Sequence, residues 1–152
     1  MTFRVRLAVP EDTRELTDMI VRSKFYWGYD EKYRVQLSTI LAVSRERANA
    51  GDCWVAEAET GKPAAVCQFD SSATPPHLDL LFVDPPHIRK GAGSLLLDTL
   101  IFNARSRGIN RFNLDADPNA AAFYLRKGGR IIGERESRIV PGQFLPVIEF
   151  LL

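Results

Sequence analysis

Leu78-Asp79-Leu80-Leu81-Phe82-Val83 runs into Asp84-Pro85-Pro86-His87-Ile88-Arg89-Lys90-Gly91-Ala92-Gly93, and this stretch decides the fold. Its apolar opening reads as a strand that Pro85-Pro86 breaks, and Ser94 to Arg107 is rich in helix formers with Gly108 as the stop. Strand, glycine loop and helix follow one another. Glycine has no Cβ to block approach, so Gly91 and Gly93 let several backbone N–H groups converge on a phosphate, where the helix start favours negative charge. Arg89 and Lys90 add cations at the same place. A glycine pair also serves as a plain turn, so its neighbours must decide. The Gly-Lys-Ser/Thr ending of a Walker loop is missing, and a dinucleotide fingerprint would need a third glycine where Leu96 stands. Asp115 and Asp117 lie where a ribose-binding acid would follow, but the double proline makes the connection too long for that fingerprint's tight turn.

Working outward, Phe112-Asn113-Leu114 is a further strand, Asn119 to Lys127 a short helix ended by Gly128-Gly129, and Ile131-Ile132 and Val147 to Leu151 are closing strands. Towards the N-terminus, Cys53 to Ala56 and Ala64 to Cys67 flank Glu59-Thr60-Gly61-Lys62, the composition of a hairpin turn. Arg4 to Val9 alternates as a strand, and Pro10-Glu11-Asp12-Thr13 opens a helix to about Lys24 whose Leu16, Met19, Ile20 and Val21 share a buried face. A single second helix is expected from Asp30-Glu31 to Gly51-Asp52, carried by Leu37, Ile40, Leu41 and Val43. Antiparallel elements followed by a strand-helix-strand-helix half imply an α+β fold with a mixed central sheet flanked by helices.

The 152 residues fit one domain, 1–152, able to bury about two thirds of its unfolded surface. With 45% apolar and 26% charged residues the chain is an ordinary globular one. A net charge of +1 lacks the footprint of nucleic-acid binding, which points to a small-molecule partner and no nucleic acid. Met1-Thr2-Phe3-Arg4-Val5-Arg6 has no signal-peptide core and no run approaches a membrane span, so a soluble, cytoplasmic protein with no membrane partner is expected. Cys53 and Cys67 have neither metal nor redox spacing and read as reduced core thiols; no metal is expected.

The glycine loop, Val83 to Gly93, resembles the acetyl-CoA pyrophosphate loop of the GNAT N-acetyltransferase superfamily. Asp117-Pro118-Asn119-Ala120-Ala121-Ala122-Phe123-Tyr124 with Gly128-Gly129 resembles its second signature. The likeness is strong from Leu78 to Gly129 and topological before that. Ile139-Val140-Pro141-Gly142-Gln143-Phe144-Leu145-Pro146 also looks like a loop of one uncharacterised bacterial-type branch. Two residues depart from the pattern. Ile88 stands where Arg or Gln usually opens the phosphate loop, and Gly129 where an aromatic usually follows.

The resemblance implies a GNAT-like fold with a V-shaped splay between two central strands and acetyl-CoA as co-substrate. Main-chain groups of Leu81, Phe82 and Val83 would pair with the pantetheine arm. The pyrophosphate would rest on amides from Arg89, Lys90, Gly91, Ala92, Gly93 and Ser94, with Asn119 reaching the rest of the donor. The implied reaction is N-acetylation of a primary amine, the acceptor a small molecule, by direct attack through a tetrahedral intermediate. His77 and Asp79 are the candidate bases: spaced two apart on a strand, they project to one face together with Leu81 and Val83, and either could instead be a surface residue. Tyr124 matches the tyrosine that faces the sulfur in many relatives and is the candidate acid, or else it packs helix on sheet. Trp27 and Tyr29, in Phe25-Tyr26-Trp27-Gly28-Tyr29, are candidates for the acceptor wall or for core and dimer contacts. The family's habit of dimerising makes a homodimer an expectation. A non-catalytic acetyl-CoA-binding regulatory domain is the alternative function, and a longer acyl chain a variant of the main one.

Overall fold

The computed structural model describes residues 2–152. One sheet organises it, in the order β1-β2-β3-β4-β5-β7-β6, with β1 Arg4–Leu7, β2 Cys53–Glu57, β3 Pro63–Asp70, β4 His77–Val83, β5 Arg111–Asp115, β6 Arg130–Glu136 and β7 Phe144–Leu151. Every neighbouring pair is antiparallel except β4 with β5. The helices are α1 Thr13–Tyr26, α2 Arg34–Ile40, α3 Arg45–Asn49, α4 Ala92–Ser106 and α5 Ala121–Arg126.

Helices cover both faces, so the middle strands are buried on both sides and lose the polar alternation of a half-exposed strand. Along β2, Cys53 and Val55 meet Leu16, Met19 and Ile20 of α1 on one face. Trp54 and Ala56 join Leu96, Leu97 and Leu100 of α4 on the other. Each fully buried leucine contributes about 1.5–3 kcal/mol. Phe112 anchors the second face, stacked on Phe150 at 5.0 Å and edge-on to Phe69 at 5.6 Å. Cys53 and Cys67 are buried free thiols whose pKa burial pushes up.

Three features depart from the sequence reading. The single helix expected from Asp30 to Gly51 is a 3-10 turn at Glu31–Tyr33, then α2 and α3. The chain breaks between the helices because Val43 N–H donates to Thr17 Oγ1 (3.0 Å) and Ser44 N–H to Gln68 Oε1 (2.8 Å). Ser44 Oγ then caps α3 through the Arg47 N–H. The second departure is a bulge in β4. Leu78 is opposite Phe69 and Leu80 opposite Gln68, leaving Asp79 the extra residue. The extra residue inverts the alternation. Leu78 and Leu81 lie on the α4 face while Leu80 lies on the α1 face, so Leu81 and Val83 do not share the face of His77 and Asp79 as a regular strand would require. Third, β6 extends through Arg130–Glu136 and is exposed along its whole length.

The splay implied by the resemblance is present. β4 and β5 register at one pair, His77 with Asn113, and then diverge. One main-chain edge of the last turns of β4 thus faces a gap, while the other pairs with β3 through Leu81–Cys67, Phe82–Val66 and Val83–Ala65. Gly129 explains its own departure from the family pattern: a Cβ there would lie 2.6 Å from Ile148 Cγ2 and 2.9 Å from Phe150 Cε2, so no larger residue fits without displacing those side chains.

Candidate active site

The glycine loop is built to leave amides free. Pro85–His87 form a 3-10 turn; Arg89 (φ 63°) and Gly91 (φ 92°) then take left-handed conformations before α4 begins. For Arg89 that conformation costs roughly 1–2 kcal/mol, strain of the kind concentrated at functional sites. None of the backbone N–H groups from Arg89 through Ser94 meets an acceptor among the described residues. Six converging donors at a helix start suit a diphosphate. A Cβ at Gly93 would meet Val83 Cγ2 at 3.4 Å and Phe123 Cζ at 3.8 Å, ordinary van der Waals contacts, so the close packing there does not itself demand glycine. Lys127 Nζ donates to Ser94 Oγ at 2.8 Å and pairs with Asp98 at 2.7 Å, adding a cation that sequence reasoning did not single out. Ile88 lines the loop without supplying a donor, and the amides remain free beside it.

From this loop a cavity of about 960 Å³ runs through the β4–β5 splay. Leu81, Phe82, Val83, Arg89, Gly91, Ala92, Gly93, Ser94 and Asn119 all line it, as do Tyr124, His77, Asp79, Trp27 and Tyr29. Lys90 does not; its side chain is exposed outside the lining.

Tyr124 meets both readings made of it. It packs edge-on to Phe150 at 6.4 Å, is 5% exposed, and lines the cavity. Burial raises its phenol, reinforced by Cys67 and Asp117, which keeps it protonated at working pH.

His77 and Asp79 are joined across the bulge, Nδ1 to Oδ1 at 2.9 Å. Asp115 at the end of β5 faces the other nitrogen, its Oδ1 4.0 Å from Nε2, beyond a direct hydrogen bond; both atoms are buried without a partner. Asp115 and Asp79 together raise the imidazole to about 9. In return His77 holds the Asp115 carboxyl below the usual range against its burial, with Arg135 at 3.7 Å helping. At neutral pH the imidazole is a cation clamped between carboxylates, not the poised base its ordinary pKa implies.

A second cluster crosses the mouth of the cleft. Lys24, 7% exposed, pairs with Asp117 Oδ2 at 2.6 Å and sits over the rings of Tyr29 and Phe82, 4.6 and 5.1 Å from their centroids. Asp117 also accepts from Tyr29 Oη at 3.1 Å and from the Asn119 N–H at 2.9 Å. Burial pushes the Asp117 carboxyl up, but these partners outweigh it and hold it low. Tyr29 is raised by burial and by Asp117. Tyr29 and Asn119 thus share one carboxylate. Sequence reasoning passed over Lys24, although its place four residues after Ile20 on the buried face of α1 was the available signal.

Free amides at a helix start, a splayed parallel strand pair and a cleft lined by Tyr29 and Tyr124 thus lie on one cavity. The chain belongs to the acetyltransferase (GNAT) family, whose model matches residues 13–129, and it is an acyltransferase. No curated protein gives a sequence match. Among solved structures it is similar to the PaiA N-acetyltransferase from Thermoplasma acidophilum in complex with coenzyme A, with a TM-score of 0.78 at 18% identity over 100% of both chains. The ribosomal-protein-S18-alanine N-acetyltransferase from Escherichia coli gives 0.73 at 17% identity, covering 99% of this chain and 94% of that one. A polyamine N-acetyltransferase from Drosophila melanogaster gives 0.70 at 16% identity, covering 99% and 100%.

Proposed function

We propose that the protein transfers an acetyl group from acetyl-CoA to the primary amine of a small molecule. The observation that carries this is the single cavity joining the free amides at Arg89–Ser94 to the polar cluster at His77 and Asp79 through the β4–β5 splay. The relative bound to coenzyme A supports the choice of donor.

Amides of the glycine loop hold the diphosphate, and the open edge of Leu81, Phe82 and Val83 aligns the pantetheine arm as a strand would. Attack requires an uncharged amine, and only about one alkylamine in a few thousand is neutral at pH 7. Asp79 takes the excess proton, through water, as the amine nitrogen bonds to the thioester carbon. His77, held cationic, fixes the carboxylate and is a positioning residue. The tetrahedral oxyanion then collapses, the C–S bond breaks, and the Tyr124 hydroxyl gives its proton to the departing thiolate, while the surplus proton on the new amide nitrogen passes through water to the phenolate and restores Tyr124. For ordinary pKa values near 10 and 8.5 that step is uphill by about 2 kcal/mol, and burial of the phenol makes it steeper. The transfer is therefore concerted with C–S cleavage.

The test is thiol release from acetyl-CoA with a panel of primary amines. Tyr124→Phe should lower turnover by roughly 10²- to 10⁴-fold, the span of general acid catalysis, with donor affinity and fold unchanged. Wild-type turnover in the folded variant would remove Tyr124 from the mechanism.

A further inference from the structure

On the α1 face of the sheet a side pocket of about 260 Å³ adjoins the main cavity. Its apolar part is Ile40, Leu41 and Leu80; its polar part is Gln68, Arg138 and the Asp79–His77 pair. His77, Asp79, Ile40, Leu41 and Arg138 line both spaces, so the pocket meets the acyl-transfer cleft beside the base.

The charges of this region are unequally used. Each aspartate lining the main cavity already has a cation: Asp70 has Arg47 at 2.8 Å, Asp79 has His77 at 2.9 Å, Asp115 has Arg135 at 3.7 Å and Asp117 has Lys24 at 2.6 Å. Glu136 accepts the Gly142 N–H at 3.2 Å. Among the carboxylates lining the main cavity, Glu136, exposed on β6, is the one without a cation within 4.0 Å. Arg89, Arg126 and Arg138 line the main cavity with no carboxylate within 4.0 Å among the described residues, and of these Arg138, exposed after β6, also lines the side pocket. Gln68 is 5% exposed; its Oε1 is taken by the Ser44 N–H at 2.8 Å, and its Nε2 donates to no protein acceptor. An amide donor open to the pocket and an exposed guanidinium beside it match a carboxylate, which guanidinium forks grip through two parallel hydrogen bonds.

We infer that the acceptor is an amino acid: its carboxylate is held by Arg138 and the Gln68 amide, its side chain lies against Ile40, Leu41 and Leu80, and its amine is presented at Asp79. This rests on the acetyl-transfer reading above and narrows it to amines that carry a carboxylate. Selectivity follows from charge. A neutral analogue forgoes the charge-assisted bonds to Arg138, and a polyamine brings positive charge to a side pocket that already presents Arg138 and His77 against one carboxylate.

The experiment compares the common α-amino acids with their carboxamides, their decarboxylated amines and spermidine, by thiol release from acetyl-CoA. Donor affinity is measured separately by calorimetry. At least one amino acid should exceed its carboxamide and decarboxylated amine by tenfold or more in kcat/KM. Arg138→Gln should lower kcat/KM for that amino acid roughly 10- to 100-fold, chiefly through KM, while donor affinity holds; Arg138→Lys should recover part of the loss. Equal rates for carboxamides, a preference for spermidine, or an unchanged preference in Arg138→Gln would overturn the inference and leave the acetyl-transfer reading standing. Absence of donor binding by the folded protein would remove that reading and the inference with it.

Discussion

His77 offers a titration in which geometry sets the number. With Asp115 4.0 Å from one ring nitrogen and Asp79 hydrogen-bonded at 2.9 Å to the other, the two carboxylates move the imidazole from an ordinary 6.5 to about 9. At pH 7 such a ring is about 99% protonated, against about a quarter for an unperturbed one. A shift of this size corresponds to roughly 3 kcal/mol at about 1.4 kcal/mol per unit. Because 29% of the side-chain surface stays open, solvent screening reduces the contribution to roughly 1–2 kcal/mol. The folded pKa lies above the unfolded one, so the stabilisation is complete below about pH 6.5 and fades as pH rises through about 9. Proton NMR of the ring from about pH 5 to 10 measures the midpoint directly, and His77→Gln assigns the signal, since the chain has only one other histidine. Thermal melts should show the wild type losing its advantage over His77→Gln between pH 7 and 10. A His77 midpoint below 7 would refute the clamp and restore the imidazole as a candidate base.

Two further variants probe the scaffold of the site. Lys24→Met leaves the Asp117 carboxylate buried without its cation and should cost about 3–5 kcal/mol, lowering Tm by roughly 6–20 °C; pairing it with Asp117→Asn should recover much of the loss, and additive losses would contradict the coupling. In the wild type the Asp117 carboxyl is depressed, so its stabilisation is present above about pH 4 and disappears as pH falls through its lower folded value. Gly129→Ala places a methyl 2.6 Å from Ile148 Cγ2 and should cost about 1–3 kcal/mol by chemical denaturation, whereas an unchanged midpoint would mean that the Ile148 and Phe150 side chains yield freely.

What could be read from the residues follows the physics of each signal. Gly91 and Pro85-Pro86 punctuate the chain where backbone geometry demands it, so the strand, loop and helix around them were legible, and the second signature placed Tyr124 and Asn119 on the same cavity. The Asp79 bulge was not, because one extra residue in β4 leaves no compositional mark yet reverses the face of everything after it. The break between α2 and α3 was hidden for a similar reason: Leu41 to Ser44 keeps an apolar helical pattern, and the bonds that end it come from Thr17 and Gln68, distant in sequence. His77 and Asp79 were found as a pair, but the charge state of the imidazole depends on Asp115, which only the β4–β5 register brings near. Lys24 and Arg138 were passed over because a lone basic residue is ordinarily solvated; burial marks the first and want of a partner the second.

The central claim is that free amides at the start of α4 hold the diphosphate of acetyl-CoA. Calorimetric titration of the purified protein with acetyl-CoA, beside Ser94→Glu, tests it most directly. Ser94 is the third residue of α4, where glutamate suits the helix, so the variant should fold while its carboxylate competes for the same N–H groups. Micromolar binding by the wild type that weakens at least tenfold in Ser94→Glu is the predicted result; no binding by the folded wild type, or equal binding by both, would contradict it.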